Sequence, residues 1–232
     1  MEREISLNSF KYEMHAHTNE VSRCAKIPAV ELVQFYKDKG FSGVCITDHF
    51  LNGNTTVPDK LSWAERIELF CSGYEEALLQ GQKIGIDVFF GWEYSYLGTD
   101  FLIYGLDKNW LLNHPDLLEL DVNDYLDFVR SEGGFVVHAH PFREGRHIAM
   151  IRLFPRQVDA IEIINANRKD FENDRAKEFA ENYDLLQIVG SDNHQGAQER
   201  LCGIKLNRPL IDITDMINAI KNKETEFVTE YP

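Results

Sequence analysis

The chain reads as an α/β protein built on a mostly parallel sheet, either open or closed into a barrel. Three observations predict it. Short apolar runs alternate with helical patterns almost to the C-terminus. Most of these runs are apolar throughout, as strands covered on both faces are. No Pro-, Gly- or Ser-rich tract interrupts the alternation. The strand at 11–15 alternates Lys11, Tyr12, Glu13 and Met14, a half-buried pattern. A helix at 28–39 opens on Pro28, whose fixed φ and missing N–H suit a first helical position. "GVCIT" at 43–47 is the second strand, and a long helix at 62–80 starts at Ser62, a residue type that caps helices. "IDVFFGWE" (86–93) and "FLIYGL" (101–106) are the third and fourth strands. Asp121 opens a helix at 121–131, and "GFVVH" (134–138) and "AIEIIN" (160–165) follow as strands. A helix at 172–182 leads to the strand "LLQIVG" (185–190), and a short helix at about 212–221 ends the pattern. With no internal repeat or low-complexity segment, residues 1–232 read as one domain.

At 44% hydrophobic and 27% charged, the 232 residues can bury a sizeable core. Lys and Arg number 24 against 38 Asp and Glu, so the net charge is -14, spread over several helices. Such a surface repels nucleic acid and anionic membranes, and an anionic substrate would need local positive charge. Cys24, Cys45, Cys71 and Cys202 form no CxxC pair and no secretory leader pattern precedes the first strand, which fits a reducing cytoplasm. Cys45, in an apolar run, reads as core. No apolar stretch reaches the ~20 residues of a membrane span.

The unusual residues fall at strand ends. "KYEMHAHTNE" (11–20) places His15 and His17 one residue apart, where strand alternation sends both to the same side. Two imidazoles converging on one point can share a metal ion. Asp48 and His49 end the second strand, Glu93 the third, His138 and His140 the fifth, and Asp192 and His194 follow the last. The C-terminal edge of strands is where parallel barrels build sites. Imidazoles with carboxylates and no thiolate suit zinc, manganese or iron, and a pair of such ions can activate water for hydrolysis.

"HAHT", "TDH", "GWE", "AHPFR" and "GSDNH", in this order, resemble the signature of the PHP (polymerase and histidinol phosphatase) family, over residues 12 to 195. The resemblance implies a distorted (β/α)7 barrel, two or three divalent transition-metal ions (Zn, Mn or Fe), and phosphoester hydrolysis by a metal-activated hydroxide. It makes His15, His17 and Asp192 ligands of the first ion and Glu93 a bridge between two. His49, His194 and His140 complete the ligand set, and Asp48 is expected to orient His49. His138 is either a donor behind the ligands or a core histidine. Two positions depart from the family pattern. Ser22 and Arg23 stand where many members carry a further Asp or His, and Asp100 is the nearest candidate where some carry a histidine. A third ion is then either absent or held through Glu20 or Asp100.

An arginine cannot ligate metal but grips phosphate bidentately, which singles out Arg143, Arg23 and Arg168 as substrate-binding candidates. The expected catalytic set is Glu93, His49, His194 and Arg143. Two cations and Arg143 would make a cationic pocket in an acidic protein, favouring a small phosphorylated metabolite (histidinol phosphate, nucleotide or sugar phosphate class) over a polymer. The alternatives are an amidohydrolase-type metal hydrolase, which commonly bridges its metals with lysine, and a non-catalytic metal-binding regulatory domain. The loop 50–63, with Trp63, reads as either a lid or a plain connection. Trp92 and Tyr94 beside Glu93 read as core aromatics or as a base-stacking pair.

Overall fold

The computed structural model describes residues 9–231. Strand β1 (Phe10–Ala16) runs into a loop, then α1 (Ala29–Asp38) and β2 (Gly43–Ile46). Two helices follow, α2 (Trp63–Phe70) and α3 (Ser72–Ile84), then β3 (Asp87–Tyr96) and β4 (Thr99–Tyr104). Next come α4 (Lys108–Leu112), a 3-10 turn at Leu117–Glu119, α5 (Val122–Ser131), β5 (Phe135–Ala139) and β6 (Ala160–Asn165). The chain ends with α6 (Asp170–Asn182), β7 (Leu186–Gly190), β8 (Leu201–Leu206), α7 (Ile213–Lys221) and β9 (Glu226–Glu230).

The nine strands form one sheet in the order β7-β6-β5-β4-β3-β2-β1-β8-β9. The pairs β1–β2, β2–β3, β5–β6 and β6–β7 are parallel. The sheet curls until the chain leaving β7 meets the end of β1: His17 N donates to Asn193 O (2.9 Å) and Asn193 N to His15 O (3.2 Å). The result is a mixed α/β barrel, nearly closed. Tyr12 and Met14 of β1, Cys45 of β2, Leu102 and Tyr104 of β4, Val137 of β5 and Ile188 of β7 fill its interior, sealed by Met216, Ile217 and Ile220 of α7. Alternate strand residues such as Val44 and Ile46 pack outward on α1 and α3. Each such side chain, fully buried, contributes roughly 1.5–3 kcal/mol.

Three strands depart from the parallel expectation. β4 lies antiparallel to both β3 and β5, and β8 and β9 add an antiparallel ribbon beyond β1. β3 and β4 are a hairpin whose two-residue turn, Leu97 and Gly98, has φ of 51° and 84°, the positive values that match strand twist. The long helix expected at 62–80 divides at Cys71, where Ser72 Oγ donates back to Leu69 O (2.7 Å) and competes with the helical ladder. Among the described residues no helix is long and apolar enough to cross a membrane.

Candidate metal centre

The first two histidines converge, but through a bulge. Glu13 pairs with Val44 and Ala16 with Ile46, so β1 holds one extra residue between these positions. Ala16 therefore rejoins Val44 and Ile46 on the outer side. Met14 stays inside, and His15 and His17 turn to the barrel mouth, a re-aiming bulges commonly perform beside sites. The amide that the bulge takes out of the ladder is satisfied locally, since His15 N donates to Glu13 Oε1 (2.8 Å).

Around these imidazoles stand Glu93, His49, His140, Asp192 and His194. Glu93 is inside β3 rather than at its end, because β3 continues into the hairpin after its parallel pairing with β2 stops. Its carboxylate is the hub: Oε1 lies 3.4 Å from His15 Nε2 and 3.2 Å from His140 Nε2, and Oε2 lies 2.7 Å from His49 Nδ1 and 3.7 Å from His17 Nε2. Asp192 Oδ1 is 3.4 Å from His17 Nε2 and 3.6 Å from His15 Nε2. His140 and Asp192 reach the mouth with φ of 28° and 53°, left-handed values that cost non-glycine residues energy and recur at functional sites.

Despite these short approaches, His15 Nε2, His17 Nε2, His49 Nδ1 and both Glu93 oxygens are buried without a hydrogen-bond partner. Buried polar atoms are rarely left so. Lone pairs that face one another without hydrogen-bond geometry are what a cation between them satisfies. Four overlapping sets each bring three ligand atoms within 4.8 Å of one another: His15/His17/Glu93, His15/His140/Asp192, Glu93/Asp100/His140 and His17/His49/His194. Glu93, His15, His17 and His140 are each shared between two sets, so the residues fit more than one ion. Burial alone would raise the carboxyls of Glu93 and Asp192, but the surrounding imidazoles, led by His49 for Glu93 and by His15 for Asp192, hold both well below the usual range.

Behind the ligands, two groups set the tautomers. His15 Nδ1 lies 2.9 Å from Glu162 Oε1 on β6, so its N–H points there and Nε2 keeps a lone pair for the centre. Glu162 also accepts from His140 N and Asn165 Nδ2, both at 2.9 Å. Ser22 Oγ has one proton and gives it to Asp48 Oδ1 (2.7 Å). Its two lone pairs then accept His49 N–H (3.0 Å) and His17 Nδ1–H (3.2 Å), which leaves His17 Nε2 free to ligate. Asp48 is further held by Thr18 N and Oγ1, both at 2.7 Å, while burial pushes its carboxyl up to about 6.

Several sequence expectations change here. Asp48 was expected to orient His49; it reaches no ring atom of that residue and instead aligns His17 through Ser22. Glu20 stands outside the ligand groups and turns to α1: both its oxygens accept from Ala29 N (3.1 Å), where a carboxylate balances the positive end of the helix. His138 faces outward on β5 opposite Phe101 and packs among Phe101, Phe154 and Phe179. It is the core histidine of the two alternatives, and burial first, then His140, lowers its pKa to about 3. Asp100 does adjoin Glu93 and His140.

Of the arginines, Arg143 borders the centre, with Nη1 2.9 Å from Asp100 Oδ2 and Nη2 3.2 Å from His147 Nε2. Arg23 turns away, giving Nε and Nη2 to Thr55 O (3.1 and 2.7 Å). Arg168 follows β6, its Nε buried without a partner among the described residues. The loop 50–63 is stitched to residues 20–23, for example by Arg23 N to Asn54 O (2.9 Å) and Thr56 N to Val21 O (2.7 Å), which is a fixed wall and not a lid. Trp92 and Tyr94 are core: the Trp92 indole donates to Tyr125 OH (2.8 Å), and Tyr94 stacks on Tyr125.

Sequence reasoning missed Glu162, Ser22 and Cys24. Glu162 carried a signal, an acid alone inside the apolar run "AIEIIN". Cys24 carried none; its Sγ lies 3.1 Å from His49 Nε2. Burial would raise this thiol, but hydrogen bonds from His194 and then His49 outweigh it and bring the thiol down to about 6.

Comparison with known proteins agrees with this geometry. An uncharacterised protein of Methanocaldococcus jannaschii is 32% identical over 193 residues, covering 79% of this chain and 65% of that protein. A two-domain Bacteroides vulgatus protein, described as containing a predicted PHP-like metal-dependent phosphoesterase, superposes with a TM-score of 0.71 at 15% identity, over 96% of this chain and 65% of that one. This chain thus spans just under two thirds of either relative. A Chromobacterium violaceum amidohydrolase, solved with bound sulfate and no metal, superposes with a TM-score of 0.51 at 13% identity, over 80% of this chain and 88% of that one. The model of the PHP domain matches residues 13–183, which hold every candidate ligand before Asp192, and the chain belongs to the PHP domain family.

Proposed function

We propose that the chain is a metal-dependent phosphoesterase that hydrolyses a phosphoester of a small phosphorylated metabolite at the barrel mouth. One observation carries the reading: a buried ring of histidine nitrogens and Glu93 oxygens, mutually close and without hydrogen-bond partners, with an arginine at its rim. Divalent transition ions held there would supply Lewis acidity and a water acidic enough to attack near neutral pH. His15, His17, Asp192 and Glu93 would hold one ion, and Glu93, His140 and Asp100 a second.

The chain's own groups do the rest. Glu162 and Ser22 keep His15 and His17 in the tautomer that ligates, so no reorganisation is needed when an ion arrives. Arg143 presents a planar fork beside the ligands, already positioned by Asp100, and can exchange part of that pairing for phosphate oxygens. The surrounding net charge of -14 discourages polyanions and leaves the rim as the place for a small anion. An amidohydrolase-type reaction is the second reading, favoured by the sulfate-bound neighbour; the ligating sets here contain no lysine. A screen of phosphorylated metabolites against amides and lactones, with manganese or zinc restored to chelated protein, tests both. Turnover of phosphoesters alone supports the proposal, and turnover of amides alone overturns it.

A further inference from the structure

The loop between β5 and β6 departs in charge from the rest of the chain: residues 143–156 hold four arginines against one glutamate, in a protein of net charge -14. It also leaves large apolar side chains uncovered. Met150 is 60% exposed and Ile151 41%, and both line, with Ile148, a cavity of about 550 Å3. Arg143 lines it too, so the cavity opens beside the metal centre, to which Arg143 is tied through Asp100 (2.9 Å). Its walls are held in place. The buried carboxylate of Glu172 accepts from Glu144 N (2.8 Å) and from Lys169 N (2.9 Å), joining the loop to the start of α6. At the other end Arg152 Nη1 donates to Leu97 O (2.9 Å), and Ile148 packs so closely on Gly98 that a Cβ there would meet its Cγ1 at 3.1 Å.

We propose that this cavity holds the leaving group of the phosphoester and that the leaving group is an aliphatic alcohol, its hydrocarbon chain on Ile148, Met150 and Ile151 while the phosphate reaches Arg143. The volume is that of an ordinary ligand pocket. A nucleotide or sugar finds little there: among the described residues the lining has no aromatic ring for a base to stack on and no hydroxyl or amide side chain to pair with sugar hydroxyls. A hydrocarbon chain needs neither. Arg146 and Lys169 also line the cavity, and their aliphatic stems extend the apolar surface while the charged heads draw the phosphate in from solvent. An exposed apolar patch beside a phosphate-gripping arginine is a surface that an amphiphilic anion covers.

The proposal rests on the phosphoesterase reading, and the experiment separates the two. Full-length protein loaded with manganese or zinc is given n-alkyl monophosphates from ethyl to octyl, beside glucose 6-phosphate and adenosine monophosphate. Across the alkyl series kcat/KM should rise about two- to fourfold per methylene, the scale for moving a CH2 out of water. In Met150→Asp, which changes an exposed side chain, that rise should fall to under about 1.5-fold per methylene, since a carboxylate then stands where the chain would lie. With wild type alone, octylphosphonate should slow amide hydrogen exchange over residues 145–151 and ethylphosphonate should not, which decides the matter even if the variant does not fold. Hydrolysis of the two polar phosphoesters with no gain along the alkyl series would overturn the proposal and leave the phosphoesterase standing. A gain undiminished in Met150→Asp, or no protection by octylphosphonate, would place the chain elsewhere and overturn it too. No hydrolysis of any phosphoester by the loaded protein would overturn both.

Discussion

Removing one hydroxyl, in Ser22→Ala, tests how the ligands are aligned. Ser22 is fully buried, and its Oγ makes three contacts: to Asp48 Oδ1 at 2.7 Å, from His49 N at 3.0 Å and from His17 Nδ1 at 3.2 Å. Asp48 Oδ1 keeps Thr18 N (2.7 Å) after the change and is not orphaned. The two donors, His49 N–H and His17 Nδ1–H, are. At roughly 1–3 kcal/mol for each buried unsatisfied group, the metal-free protein should lose about 2–6 kcal/mol of stability. Once Nδ1 has no acceptor, His17 is free to change tautomer and present Nε2–H to the centre, so zinc affinity should fall about 10–100-fold as well. Urea unfolding in the presence of chelator measures the first loss. Competition for zinc against a chromophoric chelator measures the second. If Ser22→Ala matches wild type in both, the hydroxyl does not set the His17 tautomer and the reasoning from its three contacts is wrong.

Three further outcomes follow from the same geometry. Glu93→Gln keeps the hub's shape but removes its charge, so ion stoichiometry and hydrolysis should both collapse while circular dichroism is unchanged; near-normal activity would move the bridge elsewhere. Arg143→Ala should leave the ion count intact and lower kcat/KM for phosphoesters by about 2–4 kcal/mol equivalent, whereas full activity would remove Arg143 from substrate binding. A Cβ on Gly190 would sit 2.6 Å from His15 Cβ and 2.7 Å from Glu162 Oε1, so Gly190→Ala should cost about 1–3 kcal/mol in thermal unfolding and weaken zinc binding; an unaltered Tm would show that the pair can yield.

What was legible in the sequence depended on how each residue reaches the centre. Asp48, His49, Glu93, His140, Asp192 and His194 mark strand ends or their continuations, and apolar runs locate such ends. The convergence of His15 and His17 was expected from simple alternation, yet the β-bulge turns His15 inward. The same spacing at His138 and His140 does not bring the two together, because no bulge intervenes and the left-handed φ of His140 separates them. Glu162 acts from the side of the barrel through single hydrogen bonds, so no local motif announces it. The β3–β4 hairpin was obscured because Leu97, not Asn or Asp, takes the first positive φ of its turn. The edge strand β9 went unread because its side chains are exposed or half-buried and lack a buried-strand pattern.

The seam of the barrel adds a mechanical consequence. β1 and the end of β7 meet through Asn193, which exchanges hydrogen bonds with His15 and His17. His15 and His17 stand on one lip of that seam, and Asp192 and His194 on the other. An ion gripped from both lips is a rivet across a place where the wall is held by a single bridge of two backbone bonds. Its binding free energy adds directly to the work of prising the lips apart. Amide hydrogen exchange at His17 and Asn193 should accordingly be slow in the loaded protein and rise steeply on chelation, while the amides of β4 and β5 change little. A protease would find the emptied barrel at this lip first, so metal supply would govern how long the chain survives as well as what it can do.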